Sequence, residues 1–143
     1  MGFIENNKKT LLAVLVIAII AAALLTSIPN ATGPPRIQVS PDSFDFGKME
    51  PKAAEQAFSL KNVGGMPLEI LKISTSCGCT TAWADSETVQ PGQETVLHVK
   101  FDPNAMPETV VGKVLRVVYV KSNDPETPEL EIEITANVQE AST

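Results

Sequence analysis

A stretch near the C-terminal end of the chain reads ELEIEITANVQ, from Glu129 to Gln139, and it decides the fold class. Apolar and polar side chains alternate along it. The apolar set is Leu130, Ile132, Ile134, Ala136 and Val138. Because successive side chains of a β-strand point to opposite faces, this pattern predicts an antiparallel strand with one buried face and one solvated face. Glu131 and Glu133 are expected on the solvated face.

The same alternation recurs in earlier parts of the chain. Glu94–Asp102 and Gln56–Asn62 both follow it, and each is therefore predicted to be a half-buried strand. The residues expected to face the core are Leu97, Val99, Phe101, Phe58 and Leu60.

Two further apolar runs depart from strict alternation. The run from Leu68 to Ile73 changes phase at Ile70-Leu71, which indicates a β-bulge. Val114–Val120 is apolar except for Arg116, as expected of a central strand covered on much of both faces. We expect Tyr119, within this strand, to lie in the core.

Turn-forming residues separate these runs at intervals of about ten residues. The predicted turns are Val63–Pro67, Gln90–Gln93 and Asn123–Pro128. Short runs at Ile37–Val39, Phe44–Phe46 and Thr81–Ala84 complete a set of seven or eight strands. Such regular spacing, without a helical period, predicts an all-β, immunoglobulin-like antiparallel sandwich over residues 37–139.

The N-terminal part has a different character. Residues 11–25 read LLAVLVIAIIAAALL, and the apolar stretch extends to Ile28, which gives 18 residues. A helix of that length measures about 27 Å, close to the hydrocarbon thickness of a bilayer. We expect an uncleaved signal anchor, which is a transmembrane helix over residues 10–28. A cytoplasmic tail (residues 1–9) precedes it and a linker (residues 29–36) follows it. Residues 140–143 are expected to form a second tail. A cleaved signal peptide is the alternative, but the residues that follow lack a small-x-small cleavage site.

The charges around this segment predict its orientation. Lys8 and Lys9 precede it and only Arg36 follows soon after, so the positive-inside rule places the N-terminus in the cytoplasm. In a bacterium the sandwich would then be periplasmic, attached to the inner membrane by one span, in an oxidising compartment. Residues 34–143 carry 9 basic and 16 acidic side chains, a net charge of −7, so nucleic acid is not an expected partner.

Six short motifs occur in an order that resembles one bacterial family of unknown function. They are Phe44–Gly47, Leu60–Leu68, Cys77–Thr80, Pro91-Gly92, Phe101–Pro103 and Ser122–Pro125. The resemblance covers about residues 37–138. Domains of that family resemble the hydin-like, or ASH, branch of the major-sperm-protein and Ig-like folds. The resemblance implies a non-enzymatic sandwich that serves as an interaction module, often secreted or membrane-anchored.

Cys77 and Cys79 are the only cysteines, and one glycine separates them. Their Cα atoms can approach to about 5.5–7 Å, the long end of the disulfide range, so a bridge is feasible but strained. A bridge or thiol pair that shapes the turn is one interpretation. Redox exchange is another, although the usual C-x-x-C spacing and helix N-terminus are absent.

Metal binding is the third interpretation of the cysteines. Two thiolates and His98, the single histidine, would supply three soft ligands for Cu(I), whereas a zinc site would need a fourth ligand. The alternative function is therefore a periplasmic copper-handling module that uses Cys77, Cys79 and His98. A lone histidine on the outward face of a strand is more often a solvated side chain.

No residue constellation for catalysis is present. The sequence contains no G-x-S-x-G, no H-E-x-x-H and no phosphate-binding glycine loop. We therefore expect a protein that is not an enzyme and that has no cofactor other than the copper considered above.

Two places are candidates for contact with a protein partner. Trp83 follows the cysteine turn and either packs on it or anchors a partner, as interface tryptophans often do. Ala18, Ala21 and Ala22 offer small side chains for packing between membrane helices. The favoured hypothesis is a membrane-anchored binding or scaffolding module, an accessory single-span subunit of a larger membrane or envelope complex.

Overall fold

The structure is a computed structural model that describes residues 11–19 and 32–140. The chain divides into two units, Met1–Asn30 and Ala31–Thr143. In the first unit, residues 11–19 form a helix with exposed side chains. Within the described ranges no helix combines the length and the apolar character needed to cross a membrane. The predicted span begins before residue 11 and continues past residue 19, so part of it, with Ala21 and Ala22, lies outside the described residues.

The second unit is a sandwich of two sheets built from nine strands. The strands are β1 (Ile37–Ser40), β2 (Ser43–Met49), β3 (Ala54–Asn62), β4 (Leu68–Thr75), β5 (Thr80–Ala84), β6 (Thr88–Val89), β7 (Glu94–Phe101), β8 (Gly112–Ser122) and β9 (Glu129–Val138). Sheet A has the order β1-β3-β7-β5, and sheet B has the order β2-β9-β8-β4-β6. The predicted Ig-like sandwich is confirmed, with one strand more than expected. That strand, β6, has two residues and is too short for a periodic pattern.

One pairing corrects the prediction of a purely antiparallel sandwich. β2 runs parallel to β9, with a register shift between Asp45 and Lys48. Gly47 lies in this irregularity with φ of 66°, a left-handed conformation that glycine adopts without steric cost. Alternation identifies the buried face of a strand but contains no information about the direction of its neighbour, so this pairing could not be predicted.

The core lies between the sheets and follows the predicted alternation. Leu97, Val99 and Phe101 are buried on the inner face of β7. On β9, Ile132, Ile134 and Ala136 are buried, while Glu131 and Glu133 are exposed, as predicted. The bulge is confirmed by a register shift between Ile70 and Lys72 in the β4–β8 pair.

The expectation for the most apolar strand is wrong in part. β8 is central in sheet B, between β9 and β4, but only its inner face is covered. Leu115 is 50% exposed, and Tyr119 is half-buried on the outer face, opposite the exposed Glu131. A two-layer sandwich leaves the outer face of each sheet to solvent, so a central position does not bury both faces.

A buried amide fixes one end of the sandwich. Asn62 is fully buried, and its Nδ2 donates to the carbonyl oxygens of Met66 and Val89 at 2.8 and 2.9 Å. Its Oδ1 accepts the backbone N–H of Gly64 at 2.9 Å. Buried polar groups are expensive unless they are hydrogen-bonded, and here the bonds tie the turn after β3 to β6.

A buried carboxylate has the same role nearby. Asp124 accepts hydrogen bonds from the backbone N–H groups of Ile37, Glu126 and Thr127, at 2.8, 2.8 and 3.1 Å. Burial disfavours the ionised form, but these three donors and the positive charge of Arg36 outweigh that effect. Together they hold the pKa of Asp124 below its usual range.

Candidate functional site

The turn that contains both cysteines connects β4 of sheet B to β5 of sheet A. Thr75, the last residue of β4, donates its hydroxyl to the carbonyl oxygens of Cys77 and Thr80, at 3.0 and 2.8 Å. The backbone N–H of Thr80 donates to the Cys77 carbonyl at 3.1 Å. The chain therefore changes sheets through a compact turn that is closed by internal hydrogen bonds, while Ser76 N–H donates to the Val117 carbonyl and the Cys79 carbonyl accepts from Asp102 N–H.

The two cysteines form a disulfide across this turn. Their Cα atoms are 5.1 Å apart, closer than the separation expected from the spacing and well inside the usual disulfide range. The two sulfurs differ in environment. Cys79 is 1% exposed and belongs to the core cluster, whereas Cys77 is half-buried at the surface of the turn.

Each sulfur accepts a hydrogen bond. The Sγ of Cys77 accepts the backbone N–H of Cys79 at 3.1 Å. The Sγ of Cys79 accepts the Nε–H of Arg116 at 3.2 Å. Arg116 lies on β8 in the opposite sheet, so its guanidinium spans the end of the sandwich to reach the disulfide. The sequence analysis missed this contact, although one signal was present, since Arg116 is the single charged residue in the otherwise apolar run Val114–Val120.

The structure does not place His98 with the cysteines. His98 on β7 lies opposite Trp83 of β5, and Trp83 is four residues after Cys79 in the sequence. Its Nδ1 is 3.2 Å from Glu55 Oε1, and its Nε2 is 3.1 Å from Asp85 Oδ1. Among the described residues, no three His, Cys, Asp or Glu side chains are arranged to hold a metal ion. The ligand set proposed for copper is therefore not assembled in this structure.

Trp83 lies on the outer face of sheet A and is 43% exposed. Its indole stacks on the imidazole of His98, with the ring centroids 5.1 Å apart and the planes inclined by 10°. The carboxylates of Glu55 and Asp85 contact the two ring nitrogens of His98 and so position the imidazole. The indole that stacks on this ring is held at the edge of the sheet. The structure thus presents an apolar surface beside a charged cluster.

β5 forms one border of sheet A. In the described part of the chain it pairs with β7 alone. Asp85 N–H donates to the Val96 carbonyl oxygen at 3.0 Å. In an antiparallel ladder the hydrogen-bonded residues alternate, so the odd-numbered residues of β5 direct their backbone groups towards β7. The N–H and C=O groups of Ala82 and Ala84 therefore point away from the sheet, at an open edge.

A groove of about 230 Å³ lies beside this edge, between β4 and β5. It is lined by residues 70–73, residues 82–84 and Glu87. Leu71, which lies in the bulge, is 64% exposed here. β6 pairs only with Leu68 and Glu69, so the remainder of β4 is not covered by a strand on that side in the residues described. Open backbone groups and exposed apolar side chains therefore adjoin one another.

Solved structures from several organisms are similar to this chain. A crystal structure of a protein of unknown function from Porphyromonas gingivalis W83 is 25% identical, with a TM-score of 0.67. The match covers 78% of this chain and 50% of that protein, so the chain spans about half the length of this relative. No match was found among curated proteins.

Two more distant structures share the architecture. The ASH/PapD-like domain 7 of human CEP192 has a TM-score of 0.54 at 12% identity, over 74% of this chain and 87% of that domain. The VesB protease of Vibrio cholerae has a TM-score of 0.55 at 12% identity, over 71% of this chain but 31% of the protease. At such identities the likeness shows the fold alone.

A family model covers nearly the whole sandwich. Residues 37–138 match the model described as a protein of unknown function, DUF1573. The family and the ASH-type fold inferred from the ordered motifs are confirmed, while the Cys77–Thr80 motif as a feature of that family stays a prediction. The chain therefore belongs to the DUF1573 family.

Proposed function

We propose that this chain is a non-enzymatic, membrane-anchored binding module that docks a protein partner along the open edge of β5. It would serve as an accessory single-span subunit of a larger membrane or envelope complex. The observation that carries the proposal is the combination of unpaired strand edge, adjoining groove and exposed Trp83. Strand edges of this kind accept an extended segment of another chain.

The backbone of β5 would supply the docking interactions. An incoming strand would hydrogen-bond to the outward N–H and C=O groups of Ala82 and Ala84. Alternate side chains of that strand would enter the groove and contact Leu71, while Trp83 would form an anchor on the other face. In such complexes the main chain contributes affinity and the side-chain pockets contribute specificity.

The N-terminal segment would hold the sandwich at the membrane. The apolar residues 11–28, preceded by Lys8 and Lys9, support a single span with the sandwich outside the cytoplasm, in the periplasm of a bacterium. A short linker would keep the sandwich close to the bilayer. Linking two weak contacts raises the effective concentration of the second, so helix and sandwich would contribute jointly to retention.

Replacement of Ala82 by proline tests the edge. Proline removes the N–H that points away from β7 and leaves the β5–β7 ladder its donors, so the sandwich should fold. The full chain, solubilised in detergent, should lose its co-purified partner in Ala82→Pro and retain it in Leu115→Ser. Leu115 is the matched control, since it is an exposed apolar residue on the outer face of the other sheet. Equal retention by both variants would contradict docking at β5.

Deletion of residues 1–29 tests the contribution of the helix. With a signal peptide supplied for export, the remaining sandwich should be folded, soluble and much more weakly retained by the partner. If this sandwich instead bound stoichiometric Cu(I), and Cys77→Ser abolished that binding without changing retention, the copper-handling alternative would replace the docking proposal.

A further inference from the structure

The disulfide is half-buried on one side and fully buried on the other. Cys77 is half-buried beside the exposed Gly78, where the nearest side chain is the flexible Met106. Cys79 is 1% exposed. A thiol that approaches from solvent therefore reaches the sulfur of Cys77 first, and Cys79 becomes the sulfur that leaves.

The buried sulfur has a cation beside it. The guanidinium of Arg116, a cationic group, donates its Nε–H to Cys79 Sγ at 3.2 Å. When the disulfide opens, negative charge develops on that sulfur, and a buried charge is costly unless it is paired. A guanidinium in contact with the sulfur stabilises the thiolate and so favours its departure.

The turn has hydrogen bonds of its own besides the disulfide. The Thr75 hydroxyl, which shares its one proton between the carbonyl oxygens of Cys77 and Thr80, and the Thr80 N–H close it. A bridge with a purely structural role would have no need of a guanidinium directed at one sulfur. The contact between the Arg116 guanidinium and Cys79 Sγ is explained if the bridge opens and closes.

We propose that Cys77 and Cys79 form a thiol-exchange site that accepts two electrons from a dithiol, a role that goes beyond docking. A thiolate of the dithiol attacks Cys77 Sγ, the Cys77–Cys79 bond breaks, and Cys79 leaves as a thiolate beside Arg116. The second thiolate of the dithiol then attacks the dithiol's first sulfur, which is bonded to Cys77 in the mixed disulfide, and releases Cys77 as a thiolate. The dithiol is oxidised to a disulfide, both cysteines are reduced, and protons from the two thiols balance the charge.

The test compares reduction rates of charge variants in the full chain. Dithiothreitol is the dithiol probe, and alkylation followed by mass spectrometry measures the reduced fraction. The rate should fall about tenfold in Arg116→Gln, because the leaving thiolate loses its cation. It should stay near the wild-type value in Lys113→Gln, which removes one positive charge from an exposed position on the same strand. Arg116→Lys should keep most of the wild-type reduction rate. This variant shows whether loss of the positive charge, rather than misfolding, causes the slower reduction of Arg116→Gln.

Single cysteine variants test which sulfur is attacked. In Cys79→Ser the remaining thiol of Cys77 should form a mixed disulfide with oxidised glutathione about tenfold faster than Cys79 does in Cys77→Ser, since Cys79 is buried. Equal rates, or faster reaction of Cys79, would overturn the assignment. A folded wild-type chain that keeps its disulfide in millimolar dithiothreitol, or equal reduction rates in Arg116→Gln and the wild type, would overturn the exchange site itself.

The type of thiol and the independence from docking need separate comparisons. At equal thiol concentration, dithiothreitol should reduce the bridge fully while glutathione stops at a mixed disulfide on Cys77. Complete reduction by glutathione would overturn the choice of a dithiol. Ala82→Pro should exchange at the wild-type rate, so that loss of docking and loss of exchange are distinguishable.

Discussion

Two regions of the sandwich differ in how their polar groups are used. One is the end that contains Asn62 and Asp124, and the other is the edge formed by β5. Asn62 and Asp124 are buried, and their side-chain oxygens and nitrogen bond to the backbone of this chain. At the β5 edge, the backbone groups of Ala82 and Ala84 point to an open groove. The first region thus stabilises the fold, and the second is available to other molecules.

This difference separates two of the motifs on which the resemblance rests from the surface that we expect to bind. Asn62 and Asp124 belong to the Leu60–Leu68 and Ser122–Pro125 motifs, and both stabilise loops. Buried side-chain polar atoms without a hydrogen-bond partner are absent from the described residues. These two motifs therefore reflect the requirements of the fold, whereas the cysteine turn leads directly into the open edge.

Gly64→Ala is expected to have the largest effect on stability. A Cβ at this position would overlap the carbonyl oxygen of Pro34 and lie 2.6 Å from the backbone nitrogen of Arg36. Backbone atoms cannot move aside cheaply, so the free energy of unfolding should fall by about 3 kcal/mol or more. Urea denaturation of the full chain, followed by circular dichroism, measures it.

Gly78→Ala is the matched control for that substitution. Its Cβ would meet only the flexible Met106 side chain, at 3.1 Å, so the loss of stability should be below about 1 kcal/mol. Similar losses in both variants would mean that the two regions do not differ in packing.

Asp124→Asn should lower the free energy of unfolding by about 2–3 kcal/mol at pH 7, because charge-assisted hydrogen bonds are lost and an amide NH₂ faces a backbone donor. The folded-state pKa is depressed, so the stabilisation is fully present above the unfolded-state value of about 3.9 and is lost as the pH falls through the folded-state value. Denaturation at a series of pH values should show the two proteins converging below about pH 4. A constant difference down to pH 3 would contradict the assigned role.

Replacement of both cysteines by serine should cost about 1–2 kcal/mol, since a loop of three residues restricts the unfolded chain only slightly. The sandwich should remain folded, because the Thr75 and Thr80 hydrogen bonds persist. Thermal denaturation monitored by circular dichroism measures the loss. Complete unfolding would show that the turn belongs to the framework of the fold.

Trp83→Ala should have the smallest effect on stability, below about 1 kcal/mol, because an exposed aromatic pair contributes little. Retention of the partner should fall about 30-fold, as expected of an anchoring tryptophan. The same thermal denaturation measures stability, and co-purification measures retention. A large loss of stability with unchanged retention would reverse the roles assigned to the two regions.

The sequence by itself determined the faces of the strands and the fold class. Alternation is a local property, so the burial of Val99 and Ile134 and the bulge at Ile70-Leu71 could be read without knowledge of the neighbouring strands. The hydropathy of residues 11–28 likewise predicts an anchor that extends beyond the described residues, and that anchor stays a prediction.

Only the tertiary structure decided which residues meet. Arg116 lies on β8 of sheet B and Cys79, 37 positions away, lies in the turn that leads into β5 of sheet A. His98 lies with Glu55 and Asp85 instead of with the cysteines. The parallel β2–β9 pair and the outward position of Tyr119 were also not predictable. Period-two alternation states which side of its own sheet a residue faces, but strand order and the contacts across the sandwich arise from non-local pairing, which no local pattern encodes.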